Sequence, residues 1–173
     1  MANRTVKDAQ TIKGTNPQYL VEKIVRTRIY DSKYWKEECF ALTAELVVDK
    51  AMDLRYVGGT FAGNIKPTPF ICLVLKMLQI QPEKDIVVEF IKNEEYKYVR
   101  ALGAFYLRLV GTSVECYKYL EPLLNDYRKI RTQRRDGSGL KRKSVETSIP
   151  KKYRTYLFQS SSYPTWMNLS TIF

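Results

Sequence analysis

Histidine is absent from this chain of 173 residues, and cysteine occurs three times, at Cys39, Cys72 and Cys116. Without histidine there is no Ser-His-Asp or Cys-His catalytic pair and no His-containing metal site. An odd, widely spaced set of cysteines with no CxxC pair points to buried thiols in a reducing compartment. No apolar run approaches the roughly 18 residues that a membrane-spanning helix needs. The polar start, with Arg4, Lys7, Asp8 and Gln10, lacks the apolar stretch of a signal peptide. Acidic residues are scarce only at the end: residues 128–173 hold 11 Lys/Arg and 2 Asp/Glu, against 18 and 16 in residues 1–127. The net charge of +11 therefore belongs to the last quarter, and it is no argument that the body binds nucleic acid.

What is present is helical periodicity. Residues 1–15 are polar and read as an arm. Asn16-Pro17 is a helix start, with Asn as cap and Pro in the first turn, and Leu20, Val21, Ile24, Val25 and Ile29 fall on one side. Arg28 sits amid that side, so it either marks the helix end or is paired. Asp31 and Ser32 offer the next cap, before Trp35, Cys39, Leu42 and Leu46 at i, i+4, i+7 and i+11. Glu38, Glu45, Asp49 and Asp53 form a separate acidic stripe on that same expected helix. Gly58, Gly59 and Gly63 then mark a loop running to Pro67.

Thr68-Pro69 restarts a helix that is apolar nearly all round (Phe70, Ile71, Cys72, Leu73, Val74, Leu75, Met77, Leu78), the candidate central helix. Pro82 opens another, with Ile86, Val87, Phe90 and Ile91 inward. From about Glu95 to Val110, Tyr98, Val99, Leu102, Phe105, Tyr106 and Leu109 oppose Lys97, Arg100 and Arg108. Gly111 ends that helix, and Thr112-x-x-Glu115 is a capping box. The helix it opens carries Tyr117, Leu120, Leu124 and Tyr127, and Pro122 kinks or splits it. No sustained period-two alternation and no hairpin turn is evident in residues 1–135. The expectation is an all-α domain of about six helices over 16–135. Residues 136–173, opened by the breaker Asp136-Gly-Ser-Gly and carrying Lys141, Arg142 and Lys143, read as a flexible basic tail.

No constellation calls for chemistry. Gly58 and Gly63 have the spacing of a phosphate loop, but Asn64 stands where its lysine belongs and the preceding segment reads as helix, so a structural turn is favoured. The acidic stripe of Glu38, Glu45, Asp49 and Asp53 suits a solvated face or the docking of a basic segment better than a cation site. The basic stripe of Lys97, Arg100 and Arg108 suits a solvated face, an acidic partner or phosphates. Lys141–Lys143 is a short basic cluster of the kind found in nuclear localisation or RNA-contacting runs. There are 13 tyrosines, and any that are exposed suit a protein interface.

Several long runs carry a resemblance. They are NPQYLVEKIVRTRIYDSKYWKEECF (Asn16–Phe40), LTAELVVDKAMDLRYVGG (Leu42–Gly59), GNIKPTPFICLVLKMLQIQPEKDIVVEFI (Gly63–Ile91), YKYVRALGAFYLRLVG (Tyr96–Gly111) and ECYKYLEPLLNDYRKIR (Glu115–Arg131). Together these resemble the N-terminal domain of the pre-mRNA-splicing factor 38 family. The resemblance implies an all-helical, non-enzymatic nuclear protein without cofactors. It implies a scaffold that associates with the tri-snRNP and is needed for spliceosome activation. The implied partners are other splicing proteins, among them a microfibrillar-associated protein and a zinc-finger tri-snRNP protein, and no membrane or small-molecule substrate. Residues 136–173 depart from the family's further amphipathic helices. A core lacking its last elements would leave several hundred Å² of apolar surface uncovered. The alternative reading is a direct RNA binder acting through the basic end and the basic helix face.

Overall fold

The computed structural model describes residues 3–144; residues 1–2 and 145–173 lie outside the described residues. The fold is predominantly helical, as expected. Its helices are α1 (Lys23–Asp31), α2 (Lys33–Glu37), α3 (Ala44–Met52), α4 (Pro69–Ile80), α5 (Lys84–Lys92), α6 (Lys97–Val110) and α7 (Ser113–Leu120), with 3-10 turns at Pro17–Leu20 and Glu121–Asn125. Two short antiparallel ribbons complete it: β1 (Thr60–Phe61) with β2 (Lys66–Pro67), and β3 (Lys129–Gln133) with β4 (Leu140–Ser144).

α4 is the central helix that its composition predicts. Every side chain from Phe70 to Gln79 is buried, and α1, α2, α3, α6 and the first 3-10 turn pack around it. Its N-terminus is fixed twice over. The Thr68 hydroxyl accepts from the Ile71 N–H and donates to the Gly58 carbonyl at 2.5 Å, and Pro69 fills the first turn. Its C-terminus is tied to the arm. The Val6 N–H donates to the Gln79 carbonyl at 3.2 Å. The Gln79 side-chain amide donates to the Arg4 carbonyl at 2.8 Å, and Gln81 exchanges hydrogen bonds with the Gln10 backbone at 2.8 and 2.9 Å. The arm thus satisfies groups that a buried helix end would otherwise leave unpaired.

α5 and α6 meet where Gly103 lets the backbones close. A methyl group there would lie 2.7 Å from Phe90 Cβ and 3.3 Å from the Ile91 nitrogen. The capping box at Thr112 and Glu115 forms as expected.

Three expectations change. The helix foreseen from Asn16 begins as a 3-10 turn, breaks at extended Val21 and restarts at Lys23. Ile24 is therefore exposed, while Arg28 lies in the last turn of α1, where a cation suits the helix dipole. The helix foreseen from Ser32 breaks at residues 38–43 around Ala41, at φ 54°, and Thr43 caps a new helix. Trp35, Cys39 and Leu42 remain buried as one stripe, but Leu46 falls outside it and is exposed. The split expected at Pro122 occurs, as α7 gives way to a 3-10 turn, but the buried side chains there are Cys116, Leu120 and Leu123, with Tyr117 and Tyr127 outside.

The expected absence of hairpins is also overturned. Ala62 and Ile65 take left-handed conformations in the β1–β2 connection, so the glycine-containing loop is a ribbon, not a phosphate cradle. The segment 136–144, expected to be the start of a flexible tail, is the turn and return strand of the β3–β4 hairpin. Asp136-Gly137 acts as its turn: Gly137 takes φ 78° and its N–H donates to the Arg134 carbonyl at 3.1 Å. The rest of the expected tail, 145–173, lies outside the described residues.

Candidate protein-interaction surfaces

The acidic residues come together, though on two helices. Glu38 caps the C-terminus of α2, Glu45 and Asp49 lie on α3, and Asp53 caps its C-terminus. The spacing of i, i+4 and i+8 sets Glu45, Asp49 and Asp53 along one exposed line. Glu38 is held to α3 by an ion pair with Lys50, and both Glu38 and Asp53 lie close enough to the Tyr34 hydroxyl to add to the rise in its pKa, which burial dominates. Glu45 suits the positive start of α3. Asp53 sits at the negative end, and like charges four residues apart repel. Asp53 therefore does not serve the helix that carries it. Apolar side chains are exposed at their margins: Leu46 at 47%, Met52 at 36% and, in the loop before α3, Phe40 at 66%.

The basic stripe of α6 is largely consumed inside the fold. Arg100 is nearly buried, with its Nη1 2.9 Å from Asp126 Oδ2 and its Nε donating to the Asn93 carbonyl at 2.8 Å. Arg128 adds a second guanidinium to the same carboxylate at 2.6 Å. The two together, Arg128 foremost, hold the Asp126 carboxyl well below the usual carboxylate range, against the opposing effect of burial. Lys97 donates to the Lys129 carbonyl at 2.8 Å and lies 5.4 Å above the Tyr98 ring. Arg108 is half-buried beside Cys116. Lys97, Arg100 and Arg108 thus brace α6 against the segment 126–131 and α7 and do not form one open stripe.

The third group, Lys141, Arg142 and Lys143, lies on β4 opposite Thr132, Arg131 and Ile130 in turn. The hairpin 128–144 carries eight Lys/Arg and a single acid, Asp136, which accepts from Ser138 within the turn. Lys129 and Arg131 of β3 are exposed, whereas Ile130 and Thr132 are buried. Sequence reasoning missed this surface because the turn was taken as a breaker. The alternation in Lys-Ile-Arg-Thr-Gln beside Asp-Gly was the signal for it.

Among the described residues no cluster of His, Cys, Asp or Glu could hold a metal ion, and no helix is long and apolar enough to cross a membrane. All three cysteines are buried, and burial pushes the Cys72 thiol up to about 12, so no thiolate nucleophile is available there at neutral pH. Among the tyrosines on or beside the later helices, Tyr96, Tyr117 and Tyr127 are exposed, and Tyr98 and Tyr119 half-buried.

A helical body with charged, partly apolar faces finds its counterpart among known proteins. The sequence profile of the PRP38 family matches residues 10–160. The chain belongs to the PRP38 family. Pre-mRNA-splicing factor 38A of Homo sapiens is 80% identical over 137 residues, which are 79% of this chain and 44% of that protein. The same factor of Xenopus laevis is 79% identical over 137 residues, again 79% of this chain and 44% of that protein. The chain thus spans less than half the length of the curated relatives that it matches. Among solved structures, a chain of the Snu23–Prp38–MFAP1(217–258) complex of Chaetomium thermophilum superposes with a TM-score of 0.74 at 39% identity, covering 80% of this chain and 72% of that one. The PRP38 match runs through the β3–β4 hairpin and past residue 135, where the helical domain was expected to end.

Proposed function

We propose that this chain is a non-enzymatic, nuclear pre-mRNA splicing factor that acts as a protein-binding scaffold around the tri-snRNP during spliceosome activation. The observation that carries the reading is its likeness to a Prp38-complex chain in fold and to splicing factor 38A at about four-fifths identity. By that likeness its partners are a zinc-finger protein of the Snu23 kind and a microfibrillar-associated protein of the MFAP1 kind. The surface best suited to a partner is α3, where exposed Glu45, Asp49 and Asp53 are bordered by Phe40, Leu46 and Met52. An acidic line with apolar margins fits a basic amphipathic segment, whose apolar side chains supply affinity and whose charges set its register. Glu38 supports that face through Lys50. Lys97, Arg100 and Arg108 make a weaker second surface, because Arg100 and Lys97 already have partners within the chain.

Reconstitution with purified Snu23-type and MFAP1-type proteins tests the reading. The variant E45K/D49K/D53K is expected to lose at least one partner while its helical circular dichroism is unchanged. Undiminished binding of both would remove α3 from the interface. Restored splicing when the chain is added to depleted nuclear extract would support the function, and a failure of the unaltered chain to bind or to restore splicing would overturn it. Direct RNA binding through the basic hairpin is the second reading. Its mark is an affinity for RNA that falls steeply with salt.

A further inference from the structure

We infer that the outer edge of β4 is a docking site for an acidic, extended polypeptide segment that adds to the β3–β4 hairpin as a third strand. The backbone geometry comes first. The Arg134 N–H donates to the Gly139 carbonyl at 3.0 Å, so in this antiparallel register the hydrogen-bonded pairs are 134 with 139, 132 with 141 and 130 with 143. On the other side of β3, the Val57 N–H donates to the Arg131 carbonyl at 2.8 Å and the Gln133 N–H to the Val57 carbonyl at 2.9 Å. β3 is thus occupied on both edges. On β4 the N–H and C=O groups of Leu140, Arg142 and Ser144 face away from β3, and among the described residues no strand pairs with them. Such a row of unpaired groups is a template for a further strand.

Charge decides which strand. Three consecutive positions of this edge are Lys141, Arg142 and Lys143. Arg131 and Arg142 stand directly opposite in a non-hydrogen-bonded pair, the closer of the two antiparallel spacings, where like charges destabilise. The lone acid of the hairpin is engaged within its turn. A second copy of the hairpin would bring the same sign to the same edge, which disfavours self-pairing. The chain beyond β4 is no better matched, since residues 145–173 hold three Lys/Arg and one Glu. A strand with glutamate or aspartate on both faces answers the charge at every position. It also supplies donors and acceptors alternately, whereas phosphate oxygens of RNA only accept and leave the edge carbonyls unanswered. The proposal does not depend on the partners proposed for α3.

The test uses the full chain and a blocked octapeptide in which pairs of glutamates alternate with pairs of valines, so that both faces of the strand carry acid. Amide exchange followed by NMR should show protection appearing at Leu140, Arg142 and Ser144 on adding peptide, with little change at Lys141 and Lys143, which are already bonded to β3. The variants R142P and R142Q lose the same charge, but only R142P loses an outward N–H, and proline is tolerated at such an edge position. R142P should bind the peptide about three- to tenfold more weakly than R142Q, the effect of one net hydrogen bond. K141E/K143E should weaken it further than either. Four outcomes would each overturn the proposal. They are no peptide binding, protection of the three amides before peptide is added, equal affinities for R142P and R142Q, and equal binding of a peptide with proline at two valine positions. Tighter binding of a uridine homopolymer that leaves the three amides unprotected would replace it with RNA binding.

Discussion

Two basic regions of this molecule look alike on paper and differ in three dimensions. α6 carries Lys97, Arg100 and Arg108; the hairpin carries Lys129 and Arg131 on one strand and Lys141, Arg142 and Lys143 on the other. In the first, the fold delivers a carboxylate: Asp126, beyond the second 3-10 turn, meets Arg100 at 2.9 Å and Arg128 at 2.6 Å. In the second, Arg131 and Arg142 are partners in the strand register and the one acid accepts within its own turn. The difference teaches that a cation's role is set by whether a counter-charge is brought to it under partial burial. There an ion pair is costly to break; an exposed cation is free to meet a partner.

The largest effect should come from breaking the braced region. Arg100→Ala is expected to cost about 3 kcal/mol, because it leaves the buried Asp126 carboxylate with one guanidinium in place of two. Urea unfolding measures this, and a cost below about 0.5 kcal/mol would erase the contrast between the two regions.

Acid should reach the same brace next. Asp126 has a folded pKa depressed below its unfolded value of about 4. Its contribution is therefore fully present above that value and is lost as pH falls through the folded one. Stability should decline below about pH 5, and Asp126→Asn should flatten the decline. Glu115, lowered to about 2 by the Lys84 ammonium and then by the Thr112 backbone and hydroxyl, adds a smaller slope of the same sign, which Glu115→Gln removes.

On α3 the expected sign reverses. Asp53→Asn should stabilise the chain by about 0.3–1 kcal/mol, since it removes a negative charge from the negative end of a helix. The smallest change belongs to the hairpin. Arg131→Ala should alter stability by less than about 0.5 kcal/mol, toward greater stability, by relieving the repulsion across the register from Arg142. A loss of more than 1 kcal/mol, on the order of a structural hydrogen bond, would mean that Arg131 is braced like Arg100.

Much of the body was legible. α4 announced itself because its apolar residues fill every side, and only a helix surrounded by others can bury them all. Thr68-Pro69 and Thr112-x-x-Glu115 are local devices whose geometry needs nothing from the rest of the fold. The breaks at Val21 and at residues 38–43 were not legible, because the same apolar spacing is satisfied by one long helix or by two that turn to keep Trp35, Cys39 and Leu42 against α4. The candidate surfaces divided in the same way. Glu45, Asp49 and Asp53 were placed together by the helical repeat alone, whereas the tie from Glu38 to Lys50 needed the bend between α2 and α3.

By itself the sequence determined the helical class, the central helix, the caps and the long runs that mark the PRP38 family, since each is a matter of neighbours within a turn or two. Only the tertiary structure decided which charges were available. Arg100 and Asp126 are 26 positions apart, Thr132 of β3 takes its place beside Val57, and among the described residues β4 pairs with β3 alone. Those are long-range closures whose outcome rests on packing and burial, and no local repeat encodes them.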